Sequence, residues 1–150
     1  MLDVLQQFRV LLRSIKRHYQ WMEKRSGLGG AQIWAMAEIS RKPGLMVTEL
    51  AQQLALHQTT ASNLVNRLAS LQLVLKVRAD RDQRVVRLRL TPKGRDVLRR
   101  APRPFAGVLQ QALGELPPAR LALLHGELQE VIRHMRRTDA RASRTPLADL

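Results

Sequence analysis

Seven polar side chains crowd between residues 58 and 67: Gln58, Thr59, Thr60, Ser62, Asn63, Asn66 and Arg67. The first six are short and neutral. Each can donate and accept hydrogen bonds, but none brings a charge or stands beside a base that would activate it as a nucleophile. A second group follows directly: Arg78, Arg81, Arg84, Arg87 and Arg89, with Asp82 among them. Guanidinium forks match phosphate oxygens and guanine edges. The first group can discriminate between hydrogen-bonding patterns, and the second can hold a polyanion.

The rest of the chain excludes most other chemistry. In 150 residues there is no cysteine, so disulfides, thiolate metal sites and thiol redox switches are ruled out. Histidines 18, 57, 125 and 134 share no metal-ligand spacing, and the 12 acidic residues are scattered. No enzyme constellation, metal site or cofactor is expected. No apolar run reaches the ~20 residues a membrane span needs. The N-terminus is amphipathic rather than signal-like, so no membrane association and a cytoplasmic location are expected. Lys and Arg total 26, giving a net charge of +14, and half of that excess lies in residues 76–100. Aromatics are only 3%, which disfavours stacking on single-stranded bases.

The elements that position these residues follow from periodicity. Leu5, Phe8, Leu12, Ile15, Tyr19 and Met22 recur at helical spacing over residues 2–24, and Gly27, Gly29 and Gly30 end that run. Residues 31–41 form a second helix, stopped at Lys42-Pro43-Gly44. Residues 47–56 form a short helix with Thr48 as its cap, and residues 58–71 form another. The latter keeps Ala61, Leu64, Val65, Leu68 and Leu71 on one side and the polar cluster on the other. Two short helices joined by a tight turn make a helix-turn-helix. The period then changes to two, and 73–78 and 84–90 read as the strands of a basic hairpin around a polar turn. Thr91 caps a following helix with Pro92 at its first position. Pro102 and Pro104 interrupt that helix, and Pro117-Pro118 separates it from a last helix over 119–136.

The expected fold is mainly α with a small β-hairpin wing: a winged helix-turn-helix over 26–91, helical arms over 1–25 and 92–138, and a disordered tail over 139–150. Its chemistry points to double-stranded DNA. The helix 58–71 fits the major groove, about 12 Å wide, and the hairpin 73–90 reaches phosphates or the minor groove. The arms carry more apolar surface than the small winged domain can bury, which implies a homodimer and a pseudo-palindromic site with half-sites roughly 34 Å apart. The alternative is a non-specific architectural or RNA-binding winged protein, whose affinity would be almost wholly electrostatic.

V-T-E-L-A-Q-Q-L-x5-T-A-S-N-L-V-N-R-L, then D-Q-R-V-V-R-L-R-L-T-P-K-G-R, resembles the MarR family of bacterial transcription regulators over about residues 28–100. The resemblance implies a ligand-responsive repressor. It places Gln58 to Arg67 on the recognition helix, Arg84 at the DNA end of the wing and Asp82 as its orienting partner. It also implies a small aromatic or anionic effector between the arms and the winged domain, for which His18, Tyr19, Met22 and Trp34 are the candidates. Three positions depart from the family pattern. His57 stands where Ser or Asp precedes the recognition helix, Asn63 where Arg is frequent, and Gln72 where Gly usually follows.

Overall fold

The computed structural model describes residues 1–79, 82–135, 138–139 and 145–149, with the backbone alone at 79, 82–85 and 149. In chain order the elements are α1 (Leu2–Ser26), α2 (Gly30–Arg41), β1 (Leu45–Met46), α3 (Val47–Gln53), α4 (Gln58–Ser70), β2 (Val74–Ala79) and β3 (Asp82–Leu90). Then come α5 (Pro92–Arg100), α6 (Val108–Gly114) and α7 (Pro118–His134). The result is a winged helix-turn-helix with helical arms, as the periodicity predicts. Among the described residues, no helix is long and apolar enough to cross a membrane.

β3 is central in a three-stranded antiparallel sheet of order β1-β3-β2. β1 is missing from the sequence reading because two residues carry no periodic signal. Leu45 pairs with Leu88, and Val74 with Leu90. All four side chains are buried, so the sheet's inner end closes the core under α2 and α4. Met22, Ile33, Met36, Ile39, Leu50, Val65 and Leu68 fill the same core. Leu98 and Ala101 join them, so α5 packs as part of the winged domain rather than as an arm.

Two junctions set the tilt of α4. Its C-terminus closes in a Schellman pattern: Leu73 N–H donates to Leu68 O at 3.0 Å and Gln72 N–H to Ala69 O at 2.9 Å. Gln72 therefore takes the left-handed position that glycine usually fills, at φ 60°. The end of α3 repeats this pattern, with Ala55 at φ 53°, Leu56 N–H donating to Ala51 O and Ala55 N–H to Gln52 O. Thr91 then locks α5 onto the end of α4. Its hydroxyl accepts from Gly94 N–H at 2.9 Å and donates to Gln72 O at 2.8 Å, while its own N–H donates to Leu73 O. A Cβ on Gly94 would lie 2.1 Å from Leu73 O, a backbone atom that cannot yield.

As expected, Pro102 and Pro104 interrupt the helix that starts at Pro92: they remove donors and their rings block the helical path, leaving α5 and α6 joined by a loop. Two expectations are corrected. Thr48 does not cap α3: the helix runs over Val47–Gln53 with Met46 at the N-cap position, and Glu49 accepts from Met46 N–H at 2.8 Å. The tail is not wholly without structure: Leu147–Asp149 form a 3-10 turn against α1 and α2. Gly30 makes the room, since a Cβ there would lie 2.9 Å from Ala148 Cβ and 2.3 Å from Tyr19 Cδ1.

Candidate nucleic-acid interface

α4 presents its polar side outward because Ala61, Val65 and Leu68 take the inward one. Gln58, Thr59, Asn63 and Asn66 are exposed, while Thr60 and Ser62 are half-buried. Thr59, Ser62, Asn63 and Asn66 fall within one arc of the helix opposite the core, so they share a surface. Arg67 is exposed as well, at the edge of that arc, and lines a pocket of about 260 Å³ with Ser26, Gln32 and Lys93, where α1 turns into α2. His57 holds the N-cap position without a side-chain cap hydrogen bond.

The hairpin splits its charge between two faces, because residues paired across antiparallel strands point the same way. Leu75 pairs with Arg89 and Val77 with Arg87, which puts both arginines and two exposed apolar residues on the outer face. Val74 pairs with Leu90, Lys76 with Leu88 and Arg78 with Val86. This inner face starts in the core and continues outward as Lys76 and then Arg78. Lys76 Nζ donates to Asn66 Oδ1, tying β2 to α4. Lys76 escaped the sequence reading, although the alternation within 73–78 already placed it on the inner face.

On the outer face, Arg87 Nη1 donates to Gly44 O at 3.3 Å. Glu49 lies nearby, its carboxylate held below the ordinary value of 4.5 by the hydrogen bond from Lys42 and by that from Met46 N–H. Arg87 is thus partly committed to the β1 turn, though it remains exposed. Asp82 and Arg84 lie on β3, and only their backbone is described. Arg81 falls outside the described residues.

Of the four expected effector-site residues, Trp34 alone lines an open groove of about 1060 Å³ between α2, α5 and the 103–106 loop. Met22 is wholly buried in the core. His18 and Tyr19 instead fasten that loop to α1: His18 Nε2 donates to Pro104 O at 3.0 Å, and the Tyr19 hydroxyl to Ala106 O at 3.3 Å. The cleft is lined by Arg41, Arg95, Arg99, Arg103 and Phe105, which the sequence reading missed. Only Arg95 and Arg99 among them carried a local signal, one turn apart on α5. Arg41 pairs with Glu38 and Arg99 with Asp96, and the Arg103 guanidinium sits 5.1 Å from the Phe105 ring centre.

Residues 26–85, which contain α2 to α4 and most of the wing, match the model of the MarR family. Solved structures of similar shape include a MepR-like protein complexed with pseudoligands (17% identity, TM-score 0.61, covering 86% of this chain and 92% of that one). Others are the transcriptional regulator BldR from Sulfolobus solfataricus (24%, 0.56, 89% and 95%) and the PcaV regulator from Streptomyces coelicolor with its natural ligand (25%, 0.54, 89% and 89%). The fold is that of the MarR family. No match is found among curated protein sequences.

Proposed function

We propose that this chain is a homodimeric, sequence-specific DNA-binding transcription regulator, acting most simply as a repressor at a pseudo-palindromic promoter site. The observation that carries the reading is the union, on one surface, of a neutral hydrogen-bonding arc on α4 with a cationic wing beside it. Thr59, Ser62 and Asn63 suit base edges in the major groove, and the arginines of the wing supply affinity through phosphates and the minor groove. Arg81, Arg84 and Asp82 remain assigned to the wing contact by their place in the hairpin.

Dimerisation is supported by the arms. No residue of α7 is buried, and Leu123, Leu124, Leu128, Val131 and Ile132 are all exposed. On α1, Leu5, Leu11 and Leu12 are exposed likewise. Effector control is supported by the cleft beside Trp34, whose guanidinium-rich wall and aromatic rings suit a small aromatic anion. Occupancy would change DNA affinity by favouring a dimer in which the two recognition helices are wrongly spaced, a coupling typically worth ~1–3 kcal/mol.

The test is fluorescence anisotropy at ~150 mM salt with excess competitor DNA, on the duplex upstream of the protein's own coding region and on sites enriched from random sequence. Saturable binding that survives competitor, with a palindrome among the enriched sites, is expected. Binding that competitor abolishes on every duplex would replace this reading by the non-specific architectural one.

A further inference from the structure

Asn66 has one side-chain acceptor, Oδ1, and Lys76 Nζ already donates to it. An asparagine that reads adenine uses its acceptor and its donor together, on N6 and N7. That contact engages one of the two lone pairs of Oδ1 and sets a cation at that edge, which disfavours an adenine amino donor there and leaves the amide N–H groups as the edge Asn66 offers. Lys76 adds the remaining N–H groups of its ammonium and a full positive charge. Both residues are exposed, and among the described residues no carboxylate bridges Lys76. The pair is therefore a cluster of donors that lacks an anion.

Its position says which anion. Lys76 stands on the inner face of the wing, between the recognition helix and the outer part of the hairpin, and Arg78 follows it on the same face. If α4 lies in the major groove and the wing reaches the adjacent minor groove, one sugar-phosphate strand must pass between them. The donor cluster lies in that gap. We propose that Asn66 and Lys76 form a clamp for a backbone phosphate of the strand crossing between recognition helix and wing, so that Asn66 positions the DNA instead of reading a base. The inference rests on the DNA-binding reading above. It removes Asn66 from the base-reading set and adds Lys76 to the interface.

The experiment uses the full chain and an enriched operator duplex, with anisotropy titrations across a salt series. Wild type, N66A, K76M, K76R and N66A/K76M are each measured on a panel in which every operator base pair is changed in turn. Thermal melts confirm that the variants fold. A phosphate clamp predicts that N66A and K76M weaken binding by one uniform factor across the panel. K76M lowers the salt slope by about one unit, K76R restores it, and the double variant binds no worse than K76M by more than a small factor. A loss confined to one base position in N66A overturns the proposal in favour of base readout, as does an unchanged slope in K76M. Wild type that binds no duplex overturns the DNA-binding reading itself, an outcome distinct from specific binding that the variants leave unaltered.

Discussion

The winged core and the helical arms draw on the same apolar residue types and treat them in opposite ways. In the core, Leu50, Leu68 and Leu88 are fully buried among residues from eight elements. On the arms, Leu12 is 65% exposed and Ile132 52%, although each belongs to a helical stripe as regular as any in the core. The core satisfies its apolar surface within one chain, and the arms do not. A chain can be complete as a fold and incomplete as a surface, and the second condition is what calls for a partner.

The sharpest way to break this comparison is to truncate one leucine on each side. Leu68→Ala opens a cavity under α4 and is expected to cost about 2–5 kcal/mol, read by urea denaturation. Leu128→Ala, on exposed α7, is expected to change the stability of the monomer by no more than about 0.5 kcal/mol. Equal losses in dilute samples, where no dimer persists, would erase the distinction between the regions. The next effect is on assembly. Leu124→Asp with Leu128→Asp places charges in the surface a dimer would bury, and sedimentation should then show a folded monomer with an unaltered circular dichroism spectrum. A persistent dimer would move the interface to α1.

A gain is expected within the core itself. Gln72→Gly relieves a left-handed residue and should stabilise the protein by up to about 1 kcal/mol, seen as a raised melting temperature. No gain would mean that unfolded-chain entropy cancels the relief. The smallest effect concerns Glu49. Its carboxylate is held below 4.5 in the fold, so its contribution is present above the ordinary carboxylate value and is lost as pH falls through the lowered one. Glu49→Gln should lower the melting temperature slightly at neutral pH, and the two curves should converge in acid. A gap that persists at low pH would assign the effect to shape and not to charge.

Much of the fold was legible because its signals are local. The switch from a 3.6- to a 2-residue period marked α4 and the hairpin, and Thr91-Pro92 marked the start of α5. Thr48 misled because a threonine near a helix start resembles a cap, whereas Glu49 reached back to Met46 N–H and took that role. The candidate site was legible only in part. The polar arc of α4 followed from the helical period, but Arg67, at the edge of the arc, also lines a pocket with Lys93 at the α1–α2 junction. The cleft residues Arg41, Arg95 and Arg103 come from separate segments, and no local pattern joins them.

By itself, the sequence determined the order of elements, the concentration of positive charge after residue 76, and which face of α4 would be wet. Those properties depend on neighbours within a few residues, and backbone geometry alone converts them into structure. Tertiary structure decided which polar atoms were left with unused hydrogen-bonding capacity. Asn66 and Lys76 are ten residues apart on different elements, and their pairing depends on how β2 packs against α4. The pairing engages one lone pair of an acceptor that the sequence left open and sets a cation beside it, and so it changes what Asn66 can recognise.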